Sequence, residues 1–210
     1  MGLLTLLLSN PLLFLVLAIV LLYSVILHEV AHGWVAHLYG DNTALNSGRL
    51  TLNPLSHLDP LGALMLFLVG FGWAKPVPVA YYKLKYSRLA LFSVSLAGCA
   101  MNIVLAILAL FLLQFDFVNS NQAYSAVLSI VVRINIILGA FNLIPLPPLD
   151  GSKIVMSFLS RDIQASFMKL EPYGLVILAV LLFTGLLNPI INIMQNIIFN
   201  FIIVIFSFNK

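Results

Sequence analysis

Charge is the scarcest thing in this sequence. Only 8% of its 210 residues are charged, while 62% are hydrophobic. A soluble domain carries about 25% charged residues, so this chain has too few polar groups to cover a water-facing surface. That excludes an ordinary soluble globule and makes lipid the solvent for most of the chain. Charge is absent from Leu3 to Leu27 and from Leu89 to Phe115. Each stretch exceeds the roughly 20 residues needed to cross a hydrocarbon core. Cysteine is nearly missing too: Cys99 stands alone, which rules out an intrachain disulfide. In an apolar run a lone thiol behaves as a small hydrophobe. There is no strong basic excess either. A net charge of +3 points to no nucleic-acid partner, and basic residues in such a chain report orientation. The N-terminal stretch lacks a basic leader and a small-residue cleavage site, so it reads as a membrane segment rather than a signal peptide. No internal repeat, low-complexity tail or appended soluble domain is visible. The expectation is one integral-membrane domain over 1–210, with a core at about 11–155 and C-terminal helices at about 173–208.

What is present is a series of apolar blocks. The first runs from Pro11 to Tyr39, with Asn10 as a cap, Pro11 in the first turn and Gly40 as a stop. A short block, Leu61 to Trp73, is weakened as a helix by Gly62, Gly70 and Gly72. Leu89 to Phe115 and Ala123 to Ile144 follow, the latter ending in Pro145-Leu146-Pro147-Pro148. The last, Tyr173 to Phe208, is divided by Asn188-Pro189 into two shorter halves, which would return Lys210 to the basic side. Between the first two long blocks, Leu50-Thr51-Leu52 and Pro76-Val77-Pro78-Val79 read as extended, with proline confining the second to an edge strand or loop. The predicted fold is an all-α polytopic membrane protein. It has about five transmembrane helices plus a re-entrant or extended β-like segment between the first and second spans.

Lys75, Lys83, Lys85 and Arg88 precede the third block, and Lys153, Arg161 and Lys169 follow the fourth. The loop between those blocks, Asp116 to Gln122, has no Lys or Arg. Both basic clusters therefore belong on the cytoplasmic side. Leu61 to Trp73 must then dip in and return if residues 41–88 and 150–172 are to share that side.

The chemistry-bearing pattern is His28-Glu29-Val30-Ala31-His32. On a helix, positions i and i+4 share a face, so both imidazoles can hold one zinc ion. Glu29 can accept a proton from a metal-bound water. Two histidines and a glutamate inside a span are costly unless they serve a site. The plain alternative is a polar patch where a helix leaves the membrane. A catalytic zinc needs a third protein ligand. Asp150 is the best candidate, because the prolines before it break the helix where a segment lines a cavity. Asp59 and Asp41 are weaker candidates in apparent loops. Asp150 reaches the histidines only if the first and fourth blocks end on the same side, which the re-entrant reading provides.

These residues resemble the site-two protease family of intramembrane metalloproteases, over His28 to about Lys153. The matching pieces are His28-Glu29 and His32, Gly48 to Pro54 with His57 to Pro60, Gly72 to Val79, Ala97-Gly98 with Asn102, and Asn142 to Gly151. The resemblance implies one zinc ion bound by His28, His32 and Asp150, with Glu29 as general base. It implies hydrolysis of transmembrane protein substrates near the cytoplasmic face, in regulated intramembrane proteolysis, by a small prokaryotic member without PDZ or CBS domains. The lipid bilayer of a prokaryotic plasma membrane is the other partner; oligomeric state is unreadable. Asn102, sharing a face with Gly98, either bonds substrate backbone or ties helices together, and Asn142 has the same two readings. Trp73 to Val79 could offer an edge to an unwound substrate. Cys99 departs from the family, where many relatives carry proline after the glycine. His57 has two readings, a place near the cavity or polar loop surface, and is not counted as a ligand. Arg133 lies 17 residues before Asp150, about 25 Å of continuous helix, which would place it near the outer interface as a snorkelling side chain.

Two other functions stay on the table at this point. A zinc transporter would use intramembrane His and Asp, although transporters usually show repeats. A catalytically idle module could hold a partner's transmembrane helix, although binding alone has no use for Glu29.

Overall fold

The computed structural model describes residues 3–69, 72–84 and 87–206. Every regular element among them is helical: α1 (Leu3–Ser9), α2 (Pro11–Leu38), α3 (Thr43–Asn46), α4 (Pro60–Val69), α5 (Tyr81–Leu84), α6 (Arg88–Leu112), α7 (Asp116–Asn119), α8 (Gln122–Asn142), α9 (Asp150–Met156), α10 (Arg161–Met168), α11 (Glu171–Phe183) and α12 (Asn188–Phe206), with one 3-10 turn at Pro54–Ser56. Gly70, Lys85, Phe208 and Lys210 lie outside the described residues.

The caps follow the sequence. Asn10 separates α1 from α2, and its Oδ1 accepts from the Leu13 N–H at 3.0 Å. Helix α2 ends at Leu38, and Gly40 follows at φ 86°, where a side chain would be strained. Among the described residues, four helices are long and apolar enough to cross a membrane: α2, α6, α8 and α12. Helix α11 has 13 residues, about 20 Å of rise, which falls short of an ordinary span. The C-terminal block does divide, but earlier than Asn188-Pro189. The break falls at 184–187, where Gly185 has φ 74°, and Asn188-Pro189 opens α12 instead. Proline suits a first helical turn, where its missing N–H costs nothing.

Helix α6 is the centre of the bundle, packed between α2 and α8, and α12 packs against α8. Ala106 and Ala109 of α6 meet Val132, Ile136 and Ala140 of α8, with Ile198 and Ile202 of α12 behind them. Small residues let helix backbones approach closely where lipid supplies no hydrophobic drive for association. Leu15, Ile19, Leu108, Phe111 and Val204 point outward and are exposed, which suits helices bathed in hydrocarbon.

The segment between α2 and α6 goes out and comes back. Helix α4 has 10 residues, too few to cross. A Cβ added at Gly62, in the first turn of α4, would run into the Trp73 backbone carbonyl. The Lys75 N–H donates to the His57 carbonyl at 2.8 Å, so the chain returns to the level at which it left. Gly62→Ala is expected to cost about 1–3 kcal/mol, the usual penalty for overpacking. It should also shift Trp73 emission when the variant is compared in a Trp34→Phe background.

Neither stretch expected to be extended forms a strand among the described residues. Pro76 and Pro78 have no N–H, the Lys75 N–H goes to His57, and the Val77 N–H goes to a side chain. Few donors remain for a ladder. Arg133 also needs correcting. The helix that carries it stops at Asn142 rather than running on to Asp150. Arg133 therefore lies mid-way along α8, about 15 Å from either end, and is exposed.

Candidate metal centre

His28 and His32 lie one helical turn apart on the buried face of α2. Asp150 is the first residue of α9, delivered by the non-helical run Pro145 to Leu149. The His28 and His32 Nε2 atoms are 3.2 Å apart. Asp150 Oδ2 lies 3.1 Å from the first and 3.0 Å from the second. All three residues are buried.

The outer nitrogens are already engaged. His32 Nδ1 is 2.6 Å from the Val94 carbonyl, which can only accept, so this nitrogen carries the proton. His28 Nδ1 is 2.6 Å from Asn102 Oδ1, again an acceptor. Neutral imidazoles bound this way turn bare lone pairs from Nε2 toward a carboxylate oxygen. Three acceptors at about 3 Å repel unless a cation lies between them. Ligands at about 2.0–2.1 Å around tetrahedral zinc stand roughly 3.3 Å from one another, close to the observed triangle. The donor set therefore fits a zinc ion.

Two features bring the triangle together. A Cβ at Gly98 on α6 would overlap His32 Nε2 and lie 2.5 Å from His28 Nε2. Only glycine lets α6 pass this close to the imidazoles. On α9, a Cβ at Gly151 would run into the Leu143 carbonyl and stand 2.5 Å from that of Ile144. That contact presses α9 onto the end of α8 and sets the reach of Asp150. Gly151→Ala is expected to destabilise by about 1–3 kcal/mol and to weaken zinc binding together with stability, checked by thermal unfolding and chelator competition.

Glu29 is half-buried beside the triangle. Its Oε2 accepts from the Val77 N–H at 2.9 Å, and its other oxygen takes no hydrogen bond among the described residues. The returning segment is thus pinned to the glutamate. Lys153, one turn along α9 from Asp150, sets its Nζ 4.5 Å from the Tyr81 ring centroid. Burial lowers the Lys153 ammonium, but Tyr81, Asp150, Glu171 and Glu29 together raise it above its ordinary value. Lys153 therefore stays a cation under the influence of three carboxylates.

The remaining expected residues are placed as follows. Asn102 is fully buried between His28 and Asn135. Asn142 donates to the Leu138 carbonyl of its own helix at 3.1 Å. Asp41 is buried and accepts from the Ala80 N–H at 2.6 Å. Asp59 accepts from the Gly62 N–H at 2.8 Å. His57 is not polar surface: it is 1% exposed, with Nε2 2.8 Å from the Thr51 carbonyl. Cys99 places its thiol 3.9 Å from Asp150 Oδ2. Sequence reasoning missed Ser24, Tyr81, Asn135 and the siting of Lys153. The legible signal was there for Asn135, one of two amides in the apolar block Ala123 to Ile144. Next to the triangle, an apolar cleft of about 570 Å³ lies between α2, α6 and residues 50–52, lined among others by Val30, Ala31, Trp34, Leu52, Ala97 and Met101.

Comparison with known proteins gives this geometry a family. Residues 16–187 match peptidase family M50. The chain is 41% identical over 177 residues to a protein of Bacillus subtilis provisionally named as zinc metalloprotease YwhC, covering 81% of both. It is 32% identical over 173 residues to one of Mycolicibacterium smegmatis provisionally named as zinc metalloprotease Rip2, covering 80% of this chain and 66% of the relative. It is 29% identical over 153 residues to zinc metalloprotease MJ0392 of Methanocaldococcus jannaschii, covering 73% of this chain and 37% of the relative. No solved structure matches. With a zinc-fitting triangle inside four helices able to cross a membrane, and a family match over most of its length, the chain belongs to peptidase family M50, the site-two protease family of zinc metalloproteases.

Proposed function

We propose that this chain is an intramembrane zinc endopeptidase that cuts transmembrane proteins near the cytoplasmic face of a prokaryotic cell membrane, in regulated intramembrane proteolysis. One observation carries the reading: two imidazole nitrogens with their protons turned away, and a carboxylate oxygen, meet within about 3 Å. His28, His32 and Asp150 are the ligands. They would hold a zinc ion, which would supply the acidification of a water and the polarisation of a carbonyl. Glu29 takes the water's proton on its unbonded oxygen and hands it to the leaving amine. The Val77 N–H keeps the Glu29 carboxylate oriented throughout. Asn102 holds His28 in the tautomer that presents Nε2, and Gly98 supplies the clearance that the imidazoles need.

Depth supports the location. His32 is six residues before the end of α2 at Leu38, about 9 Å of helix. The site therefore lies beneath one membrane surface, on the side where the positive-inside rule puts Lys75, Lys153 and Lys169. The returning segment 72–80 runs past Glu29. A substrate unwound into an extended strand could lie along it, with apolar side chains in the neighbouring cleft. Residues 1–210 then act as a single integral-membrane protease domain, with α11 completing the membrane-embedded set as a short fifth helix.

The test pairs metal content with cleavage. Wild-type protein in detergent is expected to hold one zinc ion per chain and to cut a single-span reporter. His28→Ala, His32→Ala and Asp150→Ala are each expected to lose both. Retention of stoichiometric zinc by Asp150→Ala would remove the carboxylate from the ligand set and sink the reading. Zinc flux into liposomes without cleavage would favour transport instead.

A further inference from the structure

We propose that Asn135, on α8, is a positioning residue for the zinc site and sets the tautomer of His28 through a directional relay of two side-chain amides. The proposal rests on the zinc-site reading above and extends it to a residue that touches neither the triangle nor a substrate. The chain of bonds starts from a group whose role is fixed. The Val131 carbonyl, one turn back on α8, can only accept. Asn135 Nδ2 lies 2.9 Å from it, so the amino end of the Asn135 amide faces this way. The carbonyl end, Oδ1, therefore points the opposite way and accepts from Asn102 Nδ2 at 2.9 Å. With its amino end so used, Asn102 turns Oδ1 to His28 Nδ1 at 2.6 Å. An acceptor at that distance requires the proton on Nδ1, which leaves Nε2 bare for the metal.

Each link is forced by the one before it, and none is exposed to water that could reverse it. Asn102 and Asn135 are both 0% exposed. In a dry interior an amide facing the wrong way would set carbonyl against carbonyl and leave buried donors unsatisfied. A reversed Asn102 would present its amino group to Nδ1 and favour the tautomer with a proton on Nε2, where the metal must bind. Ligating histidines depend on such outer partners for ring orientation and basicity.

The same network offers its own control. Asn135 Nδ2 also donates to Ser24 Oγ on α2 at 2.9 Å. A hydroxyl both donates and accepts, so Ser24 ties α2 to α8 but does not set the direction of the relay. If Asn135 only ties helices, losing either end of that bond has one consequence. If Asn135 sets direction, the two losses differ.

The full chain, solubilised and stripped of metal, is titrated with zinc against a chromophoric chelator. Thermal unfolding of the zinc-free forms is measured in parallel. Asn135→Leu is expected to weaken zinc binding about 10–100-fold, the usual effect of losing an outer partner. Ser24→Ala is expected to lower the unfolding temperature while keeping wild-type zinc affinity, because the Val131 carbonyl still orients the amide. Should Asn135→Leu fail to fold, Asn135→Ala carries the same expectation. Wild-type zinc affinity in the Asn135 variant would overturn the proposal. So would an equal loss of affinity in Ser24→Ala, tracking stability. Wild-type protein that binds no zinc would overturn the parent reading and this one with it, a distinct result.

Discussion

Glu29→Gln is expected to retain one zinc ion per chain and to lose peptide-bond hydrolysis by about 10²–10⁴-fold, the contribution of a positioned general acid–base. The substitution is nearly isosteric. A glutamine carbonyl can still accept the Val77 N–H that Glu29 Oε2 holds at 2.9 Å, so the segment 72–80 stays pinned. What disappears is a basic oxygen on the second arm. Zinc analysis and cleavage of a single-span reporter, measured on one preparation, separate the two roles. Full activity in this variant would show that the proton leaves by another route. Lost zinc would show that Glu29 helps to hold the metal.

Gly98→Ala carries the second large expectation: zinc affinity down at least ~10-fold, with cleavage lost in step. The added methyl would overlap His32 Nε2 and crowd His28 Nε2. These are the metal-facing atoms, so relief requires turning both rings away or parting α2 from α6. Ring rotation breaks the bonds from His32 Nδ1 to the Val94 carbonyl and from His28 Nδ1 to Asn102. Gly139→Ala is the comparison. Its added Cβ would meet nothing nearer than 3.8 Å, an ordinary contact, and wild-type zinc affinity is expected. Chelator competition on the two variants makes the contrast. Equal affinities would mean that α6 yields to the methyl and that the tight approach at Gly98 is incidental.

The rival functions read differently with the site in view. A transport pathway needs a cation to leave on both sides. Here the triangle is closed at the back by Val94, Asn102 and Gly98. An idle binding module has no use for a carboxylate with one oxygen held and the other unbonded beside a metal triangle.

Several features were legible because they depend on near neighbours along the chain. The scarcity of charge fixed lipid as the solvent. Asn10, Pro11 and Gly40 marked the ends of α2 within a residue or two. The i, i+4 spacing put His28 and His32 on one face before any packing was known. Local readings stopped short where a local signal met a distant partner. Of the two forms open to the extended segment at 72–80, edge strand or loop, it takes the loop, since Glu29 and His57 took its donors. A helical count back from Asp150 to Arg133 fails because α8 ends at Asn142, before the Pro145 to Pro148 break.

By itself, then, the sequence determined the membrane setting, the long apolar helices and the paired imidazoles, because helical periodicity acts within a turn or two. Tertiary structure alone decided how Asp150, the carboxylate that the sequence favoured, comes to meet the histidines, why residue 98 carries no side chain, and what turns Nε2 toward the metal. Those contacts join positions 62 to 118 residues apart. No local period encodes them; they exist only once α2, α6, α8 and α9 have packed.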